Sequence, residues 1–215
     1  MNTRTIYLFL FACVFLTNVG QSQELYIEGG KSITSFNFKD VLSNDLENLQ
    51  SANHSYFDAG LRINLLGESF KFIGGAGIHT YGAFGSDNTQ GNYLEWETTY
   101  ANLHLGVDIT IFTINNFSFH AKGTATPEFM LQGTQVLNNQ AFNIRGEEDF
   151  DSIVVFLRGG VSFEYKVSET LGVYLQYRYG SGSQIQKSST GGELDYASHD
   201  FGMGLLFDIS KKDKE

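Results

Sequence analysis

The chain has 215 residues, with 24 Asp and Glu against 14 Lys and Arg, 24 Gly, 19 Phe, 11 Tyr and a single Pro, Trp and Cys. That length fits one domain, and the acidic excess argues against nucleic acid as a partner. Only one long apolar run is present, at the N-terminus, which excludes a helical membrane bundle needing about 20 consecutive apolar residues per span.

That run is Ile6 to Leu16 (IYLFLFACVFL), preceded by Arg4 and followed by small residues at Gly20 and Ser22. A basic start, a short apolar centre and a small-residue cleavage site read as a secretory signal peptide over residues 1–22. Cys13 lies inside the apolar run; Leu10-Phe11-Ala12-Cys13 is a poor lipoprotein box because the run continues to Leu16. Cleavage after Ser22 removes the one cysteine, so the mature chain has no disulfide, and leaves 13 basic against 24 acidic residues, a net charge near -11. Residues 23–209 then form the body and 210–215 a polar tail.

From Glu24 (ELYIEGGK) onward, runs of period two alternate with polar segments, the signature of half-buried strands. A first strand starts at Glu24, and Lys39 to His54 reads as a long loop. Tyr56 to Leu66 sets Phe57, Ala59, Leu61, Ile63 and Leu65 against Asp58, Gly60, Arg62 and Asn64. After the tight turn Gly67-Glu68, Phe70 to Tyr81 follows, and Gly82 to Asn92 is again a loop. Tyr93 to Phe112 and Phe117 to Gln132 flank the short turn Thr113 to Asn116. Val136 to Asp151 is a third long loop with room for a short helical piece. Ser152 to Val167 and Leu171 to Gly180 flank Ser168 to Thr170, and Ser181 to Tyr196 is the fourth long loop. The last strand, His199 to Ile209, puts Phe201, Met203, Leu205, Phe207 and Ile209 on one face.

The result is eight strands whose connections alternate long and short. This predicts an all-β, eight-stranded antiparallel up-and-down barrel of the outer-membrane type, with tight periplasmic turns and longer surface loops. Alternation alone fits a soluble ligand- or lipid-binding barrel with the opposite sense just as well. Three features favour the membrane: glycines interleaved with charges on the polar face, aromatic residues near both predicted rims, and the leader. The rim set is Phe70, Phe72, Phe117, Phe119, Phe163, Tyr165 and Phe207 at one end, and Phe57, Tyr93, Trp96, Phe129, Tyr177, Tyr179 and Phe201 at the other. Pro127, lacking an N–H, predicts a bulge or a place above the lipid boundary.

Glu24 to Lys31, the stretch Gly85-Ser86-Asp87-Asn88-Thr89 with Tyr93-Leu94-Glu95-Trp96, and Gly133-Thr134-Gln135 together resemble the PorT-like family of bacterial outer-membrane barrels. The resemblance spans the mature chain and implies fold and outer-membrane location, with a link to protein secretion through the family's namesake. None of these stretches is a catalytic motif. The chain also departs from the aromatic ending that barrel-assembly machinery reads, since Asp208, Ile209 and the tail follow Phe207.

Candidate chemistry is thin, and no catalytic, cofactor-binding or metal-binding residue is assigned. Ser198-His199-Asp200 and His54-Ser55 with Asp58 contain the residue types of a lipid-modifying hydrolase. Adjacent strand residues point to opposite faces, however, so no triad is built from neighbours. The acidic run Glu147-Glu148-Asp149 with Asp151 has the oxygens a divalent cation wants, and equally reads as a solvated loop. The sharper expectation is the lumen, where Arg62, Lys122, Arg158, Lys166 and Arg178 face Asp58, Asp108, Glu128, Glu164, Asp200 and Asp208. Enclosed charges must pair, so these and His104 and His120 should form a closed ion-pair network. The expected protein is a non-enzymatic, monomeric envelope barrel that contacts outer-membrane lipids, the assembly machinery and extracellular or secretion partners through its loops.

Overall fold

A computed structural model describes residues 23–39, 49–67, 69–87, 92–146, 152–185 and 193–210. The expected leader (1–22), the acidic stretch from Glu147 to Asp151 and the expected tail residues 211–215 lie outside the described residues. Among the described residues nine strands form: β1 (Gln23–Lys39), β2 (Gln50–Leu66), β3 (Phe70–Asp87), β4 (Asn92–Ile114), β5 (Phe117–Leu137), β6 (Gln140–Asn143), β7 (Val154–Lys166), β8 (Leu171–Gln184) and β9 (Glu193–Asp208). All but β6 pair antiparallel with their neighbours in a ring that β1 and β9 close, a closed eight-stranded up-and-down barrel.

The register fixes its shape. From Glu24 the pairs run through Arg62, Ile73, Gly106, Thr124, Arg158, Gly180 and Ser198, and return to β1 at Thr34, ten residues further along. At about 3.3 Å per residue and about 4.8 Å between strands, that stagger tilts the strands by about 40°. The tilt keeps the eight turn-side ends at similar height.

Strands outrun their sequence limits at the long-loop end. β2 begins at Gln50, inside the expected first loop, and β3 continues through Asp87, inside the second. The third long connection holds no helix among its described residues; β5 instead runs to Leu137 and folds back as β6. Asn138 and Asn139 at positive φ make the two-residue turn between them, a conformation that asparagine tolerates. The wall is uneven. The β3–β4 ladder extends to Asp87↔Asn92, whereas β5–β7 stops at Glu128↔Val154.

Faces alternate as the period dictates. Leu103, Leu157, Leu175 and Met203 are 55–65 % exposed on the exterior, while Asp58, Asp108, Glu128 and Asp200 are buried inside. Trp96 departs from the expected rim set: it points inward and is buried with Phe36, Tyr81, Tyr100, Met130, Phe156 and Tyr196 in an apolar core within the upper barrel. Its even-numbered position in β4 puts it on the same face as Asn102 and His104. Pro127 causes no register shift of its own. The β4–β5 ladder lacks the pairs of Leu103 and His104 with Pro127 and Thr126, and its two register shifts fall away from Pro127: one higher, where Thr99 pairs Gln132 and Tyr100 pairs Met130, and one lower, where Thr110 pairs His120 and Phe112 pairs Phe119.

Candidate functional site

Three guanidinium groups tie the lumen together. Arg62 on β2 donates through Nε to Glu24 on β1 (2.5 Å), through Nη1 to Asp108 on β4 (3.0 Å) and through Nη2 to Glu164 on β7 (2.9 Å). Arg178 on β8 pairs with Glu28 on β1 (3.1 Å) and Asp58 on β2 (3.3 Å). Arg158 on β7 donates to Glu128 on β5 (2.8 Å) and to the Tyr81 hydroxyl on β3 (2.5 Å), and lies 3.4 Å from Asp200 on β9. Each cation thus reaches strands that are not its neighbours in the ring. This geometry exists because the polar face of every strand turns into a space only wide enough for side chains.

Neutral groups complete the shell. Tyr174 and Gln176 both donate to Glu28, each at 2.5 Å. Asp58 accepts from His79 (3.0 Å) and Asn102 (3.1 Å), and Asp200 accepts from Ser32 at 2.6 Å. Tyr26 hydrogen-bonds His104 across the barrel, and His120 sits 2.7 Å from Asp108. Arg158 and Arg178 also lie over the rings of Phe156 and Tyr56, at 4.2 and 4.9 Å from their centroids, a further desolvated contact. A cavity of about 20 Å³ remains at mid-lumen, room for about one water molecule. Toward the short turns the lumen opens into a vestibule of about 420 Å³.

Arg62, Lys122, Arg158, Arg178, Asp58, Asp108, Glu128, Glu164 and Asp200 therefore share the lumen as their spacing predicts, together with His104 and His120. Lys166 and Asp208 do not join the network: Lys166 is exposed at the vestibule mouth, and Asp208 accepts from Ser210. Glu24, Glu28, Lys71, His79 and the tyrosines 26, 56, 81 and 174 are members that the sequence reading missed. Period two alone would have found Glu24, Tyr26 and Glu28, opposite Leu25 and Ile27.

The hydrolase candidates are dispersed. His199 faces outward and accepts or donates at Tyr177 (2.9 Å), while Ser198 and Asp200 on either side are buried in the lumen. Ser55 faces outward against Lys31, and Asp58 is occupied inside by His79. No group of three or more His, Cys, Asp or Glu side chains among the described residues is arranged to hold a metal.

Above the network, Tyr100 and Tyr196 join hydroxyls at 2.9 Å. Tyr100→Phe should cost about 1–3 kcal/mol, because it takes this bond from the buried Tyr196 hydroxyl. Urea unfolding followed by the fluorescence of Trp96, which packs in the same core, measures it.

The architecture defines a class: a closed barrel with an apolar exterior and a charged, packed interior, the reverse of a soluble ligand carrier. Among solved structures, the chain is similar to Neisserial surface protein A (12 % identity, TM-score 0.45, covering 85 % of this chain and 96 % of that one). It is similar to the outer membrane protein OprG from Pseudomonas aeruginosa (12 %, 0.47, 88 % and 98 %) and to the outer membrane protease OmpT from Escherichia coli (8 %, 0.49, 87 % and 97 %). Likeness at this level carries no argument about activity. No family model and no curated protein matches the chain.

Proposed function

We propose that this chain is an outer-membrane barrel of a Gram-negative envelope, with a sealed lumen and a role exercised at its surface. One observation carries this reading: exposed apolar side chains cover every strand of the ring, among them Leu25, Leu61, Ile78, Leu105, Phe129, Leu157, Leu175 and Met203. The covered stretch is about ten residues per strand, about 25 Å at this tilt, the height of a membrane barrel's apolar band. An aqueous exterior would make such a surface an aggregation hazard.

The lumen supports a role without transport. Arg62, Arg158 and Arg178 cross it with their carboxylates, and opening a path would leave buried charges unpaired at several kcal/mol each. No side chain is assigned a catalytic role. The secretion link implied by the PorT-like resemblance belongs to the upper rim and its loops, where β3, β4 and β5 stand above β7 and β8.

Membrane fractionation and heat-modifiable migration in detergent gels test location and fold; recovery of the chain in the soluble periplasm would sink the reading. Planar-bilayer recordings of the purified barrel should show no stable conductance at the level of a water-filled porin. Crosslinking in intact cells, followed by copurification, tests the secretion link; absence of any secretion component among the crosslinked species would remove it.

A further inference from the structure

A groove of about 640 Å³ runs across the exterior wall. It lies between two rows of outward side chains joined strand to strand by the register. The upper row is Phe57, Gly29, Met203, Leu175 and Phe163. The lower row is Ile27, Leu205, Val173, Tyr165 and Phe117. The groove descends across six strands, from β2 through β1, β9, β8 and β7 to β5, about 24 Å at about 4.8 Å per step. That is the length of a long acyl chain, and the outward side chains of both rows are apolar or aromatic; Glu28 and Tyr174, which also border the groove, turn their polar ends into the lumen.

At Gly29 the upper row lacks a side chain. A Cβ there would meet Tyr56 O at 3.5 Å and Phe57 Cδ2 at 3.9 Å, ordinary contacts, so the gap is real space beside the wall. Two residues further up β1, over this gap, stands Lys31. Among the described outward-facing residues of the apolar band, it is the one Lys, Arg, Asp or Glu. Its Nζ donates to Ser55 at 2.9 Å, leaving further N–H groups toward solvent and headgroups. Phe201 pairs with Lys31 in the register, and Tyr177 with Phe201, so an aromatic wall flanks the ammonium at the interfacial height.

We infer that this is a lipid site: the groove takes one acyl chain, and Lys31 takes the phosphate of an anionic lipid headgroup in the leaflet at the long-loop end. A lone ammonium on an otherwise uncharged apolar wall is costly unless it reaches the interface and an anion. The continuous groove beneath it fits the rest of the same molecule. This inference rests on the membrane reading above.

Native mass spectrometry of the folded, detergent-solubilised barrel tests it, with dipalmitoyl phosphatidylglycerol in one arm and zwitterionic dipalmitoyl phosphatidylcholine in the other. The wild type should retain one phosphatidylglycerol about tenfold better than phosphatidylcholine, the scale of one charge-assisted hydrogen bond. Lys31→Glu should erase that preference, and Gly29→Leu, which fills the gap, should lower retention of both lipids. Lys31→Gln replaces Lys31→Glu should the latter not fold. Equal phosphatidylglycerol retention by wild type and the Lys31 variant, or undiminished retention by Gly29→Leu, overturns the site. Heat-modifiable migration and fractionation of the same samples separate the two ideas. A folded, membrane-located barrel indifferent to these changes refutes the lipid site alone, whereas a soluble chain refutes the membrane reading.

Discussion

Arg62→Met is expected to lower the unfolding free energy of the barrel by about 3–5 kcal/mol, the usual cost of removing one partner from a buried charge cluster. Methionine keeps much of the side-chain volume, so the loss is electrostatic rather than a cavity. Three carboxylates would lose their shared cation, and they do not lose equally. Glu24 keeps Lys71 at 2.9 Å, and Asp108 keeps His120 at 2.7 Å and Lys122 at 3.9 Å. Glu164 keeps only His120, at 3.4 Å, among its ion-pair partners in the described residues. The second substitution Glu164→Gln should therefore recover part of the loss. Equilibrium urea unfolding in lipid vesicles, with Trp96 as the reporter, gives both values. A change below about 1 kcal/mol for Arg62→Met would show that the network does not hold the barrel together.

Gly30→Val should abolish the heat-modifiable folded form. Gly30 on β1 faces Gly202 on β9, in the seam where the first and last strands meet. A Cβ at Gly30 would lie 2.1 Å from the carbonyl oxygen of Phe201 and 2.6 Å from the Cα of Gly202. Both are backbone atoms, so relief means moving a strand rather than rotating a side chain. Overpacking in a core that can adjust costs about 1–3 kcal/mol; here the adjustment breaks the ladder that closes the ring. Gly159→Val is the control, since nothing lies within 4 Å of a Cβ on that outward-facing glycine, and it should fold as the wild type does. A folded Gly30→Val band of wild-type intensity would mean that the seam has more slack than these distances allow.

Strand number, order and facing were legible because one period governs the whole molecule. Arg158 and Leu157 differ by one position and by everything in environment, and alternation alone assigns both. Strand ends above the apolar band were not legible. Gly82 to Asp87 and Gln50 to His54 carry the Gly, Ser, Asn and Asp typical of loops, yet pairing with neighbouring strands overrides that local preference. β6 escaped for the same reason, because Val136 to Asn143 carries turn residues that serve a hairpin as well as a loop. Trp96 and Tyr81 were misread or missed by residue type, since aromatic residues suit an interfacial belt and an internal core alike. Tyr177 and Tyr179 face outward, Tyr174 inward, and only position parity tells them apart. The contacts of Arg62 were out of reach, because three strands far apart in sequence supply them. The groove beneath Lys31 was equally hidden, for it runs across strands and no single strand contains it.

The seam between β1 and β9 also governs how the molecule can form. Its pairs run from Glu24↔Asp208 to Lys39↔Glu193, joining segments that stand at opposite ends of the chain. Until β9 is in place, the nascent sheet has two unsatisfied edges and an apolar outer surface, each of which invites association with other chains. The ordering entropy of nearly the whole polypeptide must be met before these last contacts form, so assembly is slow and all-or-none. A half-made ring has no resting state, and the unfolded chain must be held apart from its copies until its last strand arrives.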